Sequence, residues 1–277
     1  MKSEDKPHRS TFVRDLFLGL FSYKRAYEFI RANRLWEGMT RYKAIIILLV
    51  IIGLVLGMKI LNMMQNAVQS QGITQMGLTT TMSMVKDVAK ESYNLLFFGG
   101  MKYLVLIFFE IIIFHFVRRT LEIKTGQEIK ATYKGFVAAE IRMIKVVVIS
   151  YFMETVFSVL IGVVLGILNL EFFKVLLVLV VQAYFLGFVF IDNYNEILKL
   201  KIKESEKLTR QFAGVSIAIG GVAYLLMLIP VAGSIIAPIF GGVAATLAMY
   251  EVQKPTFDML AEADEPASDL EDTRERQ

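Results

Sequence analysis

Four ionisable side chains interrupt stretches of sequence that are otherwise apolar. Lys102, Glu110 and His115 lie within the run 95–117, and Glu154 lies within the next apolar run. A charged group near the centre of a bilayer costs several kcal/mol unless it is paired or hydrated, so such groups commonly mark a solute pathway or a proton relay. We therefore predict an intramembrane polar site that lines a pathway or relays protons.

The three ionisable residues of the run 95–117 do not form one stripe on a helix. At about 100° per residue, Glu110 lies roughly 80° from Lys102 and roughly 140° from His115 around the helix axis. Their partners must therefore come from other helices. A structural ion pair, for example of Glu110 with Lys59 or Lys102, explains the same residues, and so does a helix that lies shallower in the membrane.

The composition is that of a membrane protein with several apolar helices. Of the 277 residues, 55% are hydrophobic and 20% are charged, a balance that is not typical of a globular enzyme. The chain has no cysteine and only two histidines, so we expect no disulfide, no metal site and no cofactor. We predict no enzymatic activity, because the sequence lacks a zinc-binding pair, a Gly-x-Ser-x-Gly elbow and a phosphate-binding glycine loop. Basic residues are scattered at the edges of apolar runs, so we expect no nucleic-acid partner.

The apolar runs predict an all-α polytopic membrane protein with two long transmembrane helices and two helical hairpins. The predicted bounds are residues 44–64 and 95–117 for the long helices, and 144–191 and 215–250 for the hairpins. The first hairpin turns near Asn169. The sequence leaves open whether the hairpins cross the membrane fully or enter it only partway.

Polar segments flank and connect these runs. The pattern that begins at Phe12 predicts an amphipathic, interfacial helix, although packing against the protein's own helices fits it equally. In the polar stretch after Arg119, Gly126 is predicted to break the chain into two helical pieces, and the second piece is predicted to be another interfacial helix. Residues 1–11 and the acidic residues 251–277 are predicted to be disordered, which leaves 12–250 as a single membrane domain.

The second hairpin contains a break. Residues 215–250 include no Asp, Glu, Lys, Arg or His, but Pro230, Gly233 and Pro238 interrupt them. The first arm is predicted to end at Ile229 and the second to begin at Pro238, so the arms are about 22 and about 20 Å long, shorter than the ~30 Å hydrocarbon layer. The hairpin therefore re-enters the membrane partway or crosses it by using the turn as extra helix.

Glycine pairs at GxxxG spacing occur in two apolar runs, as Gly53 with Gly57 and as Gly162 with Gly166. This spacing permits the close approach of two helices. Because it is also common by chance in apolar sequences, it is a weak indication of a helix contact.

Basic residues alternate between the connecting segments. There are ten before the first long helix, two after it, six after the second, one near Asn169, five within 192–210 and none in the turn at Pro230. Segments rich in Lys and Arg remain on the cytoplasmic side. We therefore expect both termini in the cytoplasm, with the hairpins entering from that side of a bacterial inner membrane.

Several strings, taken in order, resemble the CysZ-type sulfate permease family, which includes the eukaryotic etoposide-induced membrane proteins. The resemblance covers most of residues 15–250 and indicates a divergent bacterial member. It implies two long membrane helices with partly penetrating hairpins, and the import of sulfate for cysteine synthesis. The matching strings are the C-terminal IPVAGSIIAPIFGGVAATLAMYE, Ile219-Gly220, Asp192-Asn193-Tyr194, Lys124-Thr125-Gly126, and Gly19 with Ala26 and Phe29.

The resemblance also implies an anion site at the start of the first long helix, where the family carries Gly-Leu-Arg. Here the sequence reads EGMTRYK, and Thr40 separates Gly38 and Met39 from Arg41, so the motif is displaced or absent. Free amides at a helix start beside Arg41 and Lys43 can still hold a tetrahedral anion. The same two bases are equally explained as anchors on the cytoplasmic side.

Two functions fit the sequence. The first is an integral membrane permease for a small inorganic anion, sulfate-like by resemblance, with Glu110 or Glu154 as the carrier of a coupled proton. The alternative is a non-transporting membrane scaffold or envelope-assembly protein. In either case the expected partners are the lipid bilayer and further copies of the chain, which would form a homo-oligomer by covering one another's exposed turns.

Overall fold

A computed structural model describes residues 11–37, 101–129, 133–168, 170–229 and 232–264. These residues form seven α-helices and no strand, which confirms the all-α class. The helices are α1 (Phe12–Ala32), α2 (Met101–Thr125), α3 (Tyr133–Ile167), α4 (Glu171–Ile197), α5 (Ile202–Gln211), α6 (Ala213–Met227) and α7 (Ala232–Asp264).

Three of the helices are long and apolar enough to cross a membrane. They are the segments Val137–Ile167, Phe172–Ile197 and Ala232–Gln253 of α3, α4 and α7. The shortest of these has 22 residues, and at ~1.5 Å per residue it reaches the ~30 Å thickness of the hydrocarbon layer. The chain therefore has the helices of an integral membrane protein. The predicted first long helix, residues 44–64, lies outside the described residues.

Helix α6 lies at the centre of the bundle, in contact with α1, α4 and α7. Helices α4 and α6 pack closely, because glycines on both helices leave no side chain between the two backbones. A Cβ on Gly187 would overlap the carbonyl oxygen of Ser216, and a Cβ on Gly220 would overlap that of Ala183. The hydroxyl of Ser216 donates to the Tyr184 carbonyl oxygen at 2.8 Å in the same contact.

Helix α1 faces the bundle with its small and polar side. Tyr23 donates a hydrogen bond to the Ile219 carbonyl oxygen on α6 at 2.7 Å, and burial raises the pKa of its hydroxyl. The large apolar side chains point away from the bundle, which is typical of a helix at a membrane interface. The buried residues are Asp15, Gly19, Ser22, Ala26 and Ile30, and the exposed ones include Phe12, Val13, Phe17 and Phe21.

Helix α2 continues past the predicted end at Val117 to Thr125, and the break predicted at Gly126 ends it. The φ of Gly126, 71°, lies in the left-handed region that favours glycine, and its N–H donates to the Glu122 carbonyl oxygen at 2.8 Å. The segment that follows differs from the prediction, because the interfacial helix and the first hairpin arm form one helix, α3. No glycine or proline interrupts the chain between residues 136 and 161, so nothing breaks the helix there.

The first hairpin ends later than predicted. We expected its second arm to end at Ile191, but α4 continues to Ile197 and buries Asp192 and Asn193. The buried Asp192 is paired with Arg142, which offsets the cost of placing a carboxylate at this position. A sharp bend of 95° then separates α5 from α6.

The predicted turn of the second hairpin is also too wide. Helix α7 begins at Ala232, so Gly233 and Pro238 lie within the helix, and Pro230 lies outside the described residues. Gly233 is a packing residue, since a Cβ there would overlap the Leu226 carbonyl oxygen. Pro238 removes one backbone hydrogen bond near the start of α7, which membrane helices tolerate.

The second arm of this hairpin also ends later than predicted. Helix α7 continues past Tyr250 to Asp264 and includes the first part of the segment that was predicted to be a disordered tail. The sequence MLAEAD at its end consists largely of residues that favour helix, which explains the extension. Residues 265–277 lie outside the described residues.

The outer part of the α3–α4 hairpin extends beyond the bundle. In the most apolar window of α3 only 22% of the residues are buried, compared with 72% in α7. The exposed side chains are large and apolar, as expected for a surface that contacts lipid. They include Phe152, Phe157, Val163, Phe172, Phe173 and Val175.

Candidate functional site

A buried ion pair joins the start of α2 to the middle of α3. The ammonium of Lys102 lies 2.6 Å from Oε1 of Glu154, and the hydroxyl of Tyr103 donates to Oε2 of the same carboxylate at 2.6 Å. Lys102 is 0% exposed and Glu154 is 3% exposed. Each carboxylate oxygen therefore has one donor, as a buried carboxylate requires.

Two aromatic rings lie close to the ammonium group of Lys102. The Lys102 ammonium lies 5.1 Å from the centre of the Tyr103 ring and 5.8 Å from that of Tyr224 on α6. Both distances allow a cation–π interaction. Three helices thus contribute to the site, which we name the Lys102 site: Lys102 and Tyr103 from α2, Glu154 from α3 and Tyr224 from α6.

A cavity of about 350 Å³ lies between α3 and α4, and Glu154 forms part of its wall. Gln182 also lines the cavity, is only 3% exposed, and its Oε1 has no hydrogen-bond partner among the described residues. Ser158 also lines the cavity, and its hydroxyl has no hydrogen-bond partner among the described residues. Two of the lining residues therefore carry polar atoms that are buried away from the cavity surface and have no partner among the described residues. Its lining residues are Tyr151, Glu154, Thr155, Ser158, Val159, Gly162, Lys174, Val175, Val178 and Gln182.

Glu110 lies apart from the Lys102 site. It is 1% exposed, and neither of its carboxylate oxygens has a hydrogen-bond partner among the described residues. Asn193 on α4 is a neighbour of Glu110, and its amide donates one hydrogen bond to the Val189 carbonyl oxygen at 3.2 Å. Within the described residues, the charged groups that act on Glu110 are all acidic, namely Glu196, Glu140 and Asp192. Of the two ion-pair partners considered for Glu110, Lys102 pairs with Glu154 instead, and Lys59 lies outside the described residues.

Replacing Glu110 by Met is expected to raise the free energy of unfolding by about 1–3 kcal/mol, because the substitution removes a buried polar group that has no partner. Glu122 on the same helix provides the matched control. It accepts from the Ile129 N–H at 3.2 Å and lies 3.6 Å from the Arg118 guanidinium, so Glu122→Met should lower stability. Thermal unfolding in detergent micelles measures both variants, and a loss of stability in Glu110→Met would contradict the assignment.

His115 on α2 contacts the segment that follows α1. Its Nε2 lies 3.3 Å from the carbonyl oxygen of Leu35, which is buried. This contact is far along α2 from the ion pair. Of the four predicted intramembrane residues, the structure therefore brings together Lys102 and Glu154, and it places Glu110 and His115 in separate environments.

A second polar cluster was not predicted. Arg142 on α3 binds Asp192 on α4 through two hydrogen bonds of 2.9 and 2.8 Å, and it also donates to the Leu200 carbonyl oxygen. Glu196 lies 3.9 Å from the same guanidinium. The signal in the sequence was a base near the start of one hairpin arm and an acid near the end of the other, since antiparallel arms bring these positions together.

The residues of the candidate anion site, Gly38, Met39, Arg41 and Lys43, lie outside the described residues. The described residues contain no group of three or more His, Asp or Glu side chains that could hold a metal ion. Sequence reasoning missed Tyr103, Tyr224, Lys174 and Gln182, and only the position of Tyr103 next to Lys102 could have indicated one of them.

Comparison with protein-family models, with curated proteins and with solved structures found no match for this chain. The resemblance to the CysZ-type permeases therefore stays a prediction, and the geometry described above is the basis for the function proposed below.

Proposed function

We propose that the chain is a membrane permease for a small anion and that the Lys102 site lies on its pathway. The observation that carries this proposal is the buried Lys102–Glu154 pair, whose carboxylate borders a mostly apolar cavity between α3 and α4. Both partners come from apolar helices, where a hydrophobic pair of similar volume would be at least as stable. An ion pair at such a position is therefore better explained by function than by stability.

The geometry suggests how the site acts on an anion. Glu154 holds the Lys102 ammonium in the absence of a solute, and a passing anion can replace the carboxylate as the partner of that ammonium. Tyr103 donates to the other oxygen of Glu154, so the displaced carboxylate keeps one strong hydrogen bond. The rings of Tyr103 and Tyr224 support the cation while it changes partners.

The family resemblance extends the proposal beyond the described residues. It makes sulfate the first anion to test and places the chain in a bacterial inner membrane, with both termini in the cytoplasm. It also favours two long helices with partly penetrating hairpins, and Arg41 and Lys43 as bases at the pathway's cytoplasmic end. Glu110 is the candidate carrier of a coupled proton, because it is buried without a hydrogen-bond partner among the described residues.

One observation favours the alternative function, a non-transporting scaffold. The outer part of the α3–α4 hairpin exposes apolar side chains on most of its surface. In a scaffold this surface would bind a partner's membrane helix, whereas in a permease it contacts lipid or a second copy of the chain. The scaffold requires a copurifying protein and predicts no flux.

Uptake of labelled sulfate into proteoliposomes that contain the purified protein tests the proposal. We expect saturable uptake above that of empty liposomes, competition by unlabelled sulfate, and a reduced rate in the Arg41→Ala variant. A panel of other labelled inorganic anions in the same assay identifies the substrate if sulfate is not transported. Absence of flux for every anion, together with a copurifying membrane protein, would favour the scaffold.

A further inference from the structure

We propose that Glu110 on α2 holds a proton and exchanges it with the aqueous phase through Glu196 on α4. The inference deepens the proposed function, in which Glu110 is the candidate carrier of a coupled proton, because it adds the route by which that proton enters and leaves. It rests on the proposed function for the use of the proton, but not for the presence of the proton on Glu110.

The surroundings of Glu110 are the first argument, because they contain nothing that stabilises a carboxylate. The side chain is 1% exposed, and neither of its oxygens accepts a hydrogen bond from a described residue. A charged carboxylate that is buried without donors or a cation is costly, and the neutral acid avoids that cost. The burial of Glu110 therefore favours a bound proton.

The charges around Glu110 act in the same direction. Within the described residues, the charged groups that act on it are Glu196, Glu140 and Asp192, which come from α3 and α4. Helix α7 also packs against α2, but it has no charged residue between Ala232 and Tyr250. Repulsion from nearby carboxylates favours the protonated form of the most buried one.

Two cations of α2 and α3 have carboxylate partners other than Glu110. The Lys102 ammonium lies 2.6 Å from Glu154. The Arg142 guanidinium binds Asp192 through two hydrogen bonds of 2.9 and 2.8 Å. In the described part of the chain, a proton is therefore the species that can neutralise Glu110.

Asn193 and Glu196 define the route on α4. Asn193 is a neighbour of Glu110, is 2% exposed, and its Oδ1 accepts no hydrogen bond from a described residue. Glu196 follows three residues later, about one turn further along the same side of α4. It is half-buried, and of the three acidic groups it acts most strongly on Glu110. Glu196 thus links the buried carboxyl group to solvent.

The exchange transfers one proton and one negative charge. The proton leaves an oxygen of Glu110 and is accepted by the Glu196 carboxylate, so the charge moves from the end of α4 to α2. Glu196 then releases the proton to water on the side where the charged helix α5 follows α4. Asp192 is less suited to this role because both of its oxygens bind Arg142, whereas Glu196 lies 3.9 Å from that guanidinium.

Infrared difference spectroscopy on the purified protein in liposomes detects the proton on Glu110, because the C=O stretch of a protonated carboxyl is separate from the carboxylate bands. At neutral pH we expect Glu110→Gln to remove one such band and Glu110→Asp to shift it. Glu122→Gln is the matched control on the same helix and should remove none, since Glu122 accepts from the Ile129 N–H and lies 3.6 Å from Arg118. A spectrum of Glu110→Gln with every protonated band of the wild type would overturn the proposal.

The rate at which the Glu110 band shifts after transfer to D₂O measures the route. Glu196→Gln should slow this exchange about tenfold or more, as expected when a positioned proton acceptor is removed. Glu140→Gln is the matched control and should change the rate little, although Glu140 is also a partly exposed acidic neighbour of Glu110. An unchanged rate in Glu196→Gln, or a larger effect of Glu140→Gln, would overturn the assignment of Glu196.

Neither infrared measurement requires transport, so their results are independent of the sulfate uptake assay. Absence of the Glu110 band with normal sulfate uptake would remove the proton site and leave the permease intact. A Glu110 band without uptake of any anion would keep the proton site and contradict the permease.

Discussion

Replacing Lys102 by Met is expected to lower the free energy of unfolding by about 3–5 kcal/mol, because it leaves Glu154 as a buried carboxylate without its cation. The pair is separated from solvent, with Lys102 at 0% and Glu154 at 3% exposure. Tyr103 alone would then hold the carboxylate. Denaturant unfolding in detergent micelles measures the loss.

Two further variants show whether the unpaired charge of Glu154 causes the loss of stability. The double variant Lys102→Met/Glu154→Met should recover most of the stability, since no uncompensated charge remains. Lys145→Met removes an exposed lysine from α3 and should change stability little. If the double variant is as unstable as Lys102→Met, the loss comes from packing around residue 102 rather than from an unpaired carboxylate.

Gly220→Ala is expected to destabilise the bundle by about 1–3 kcal/mol or more, the usual effect of forcing extra atoms into a packed contact. A Cβ at Gly220 would overlap the Ala183 carbonyl oxygen and would lie 2.5 Å from the Gly187 nitrogen. These are backbone atoms, so no side-chain rotation relieves the overlap. Helices α4 and α6 would have to separate.

The neighbouring Gly221 is the control for this prediction. A Cβ there would lie 3.8 Å from the Ala183 Cβ, an ordinary contact. Gly221→Ala should therefore raise stability by about 0.5–1 kcal/mol, because alanine favours helix over glycine. The melting temperatures of the two variants should move in opposite directions, and a decrease of similar size in both would contradict the close approach at Gly220.

The chemical types of the site residues could be predicted from the sequence, but their pairing could not. Lys102 and Glu154 stand out because each interrupts an apolar run. Their contact spans 52 residues and depends on the relative depth and rotation of α2 and α3, which no local pattern determines. Glu110 is as conspicuous as Glu154 in the sequence, yet it has acidic neighbours.

Glycine spacing illustrates the same difference between local pattern and packing. The GxxxG pair Gly162 and Gly166 favoured a close helix contact, but a Cβ on Gly166 would meet no described atom within 4 Å. The actual close contact uses Gly187 and Gly220, which lie on different helices. Gly126 was predicted correctly because a left-handed φ at a helix end is a local property.

Helix boundaries were least accurate where tertiary contacts stabilise polar residues. Asp192 was placed outside the membrane because it is charged, but Arg142 compensates it and α4 continues to Ile197. The predicted turn of the second hairpin is too long because glycine and proline usually break helices, whereas Gly233 and Pro238 lie inside α7. Gly233 instead allows α7 to pack closely on α6, at the Leu226 carbonyl oxygen.

The central claim is that an anion passes the Lys102 site, and the most direct measurement is sulfate uptake by the Lys102→Met/Glu154→Met double variant in proteoliposomes. This variant is expected to stay folded, so a loss of uptake cannot be attributed to unfolding. The account predicts saturable uptake by the wild-type protein and a rate equal to that of empty liposomes for the double variant. Uptake by the double variant at the wild-type rate would contradict it.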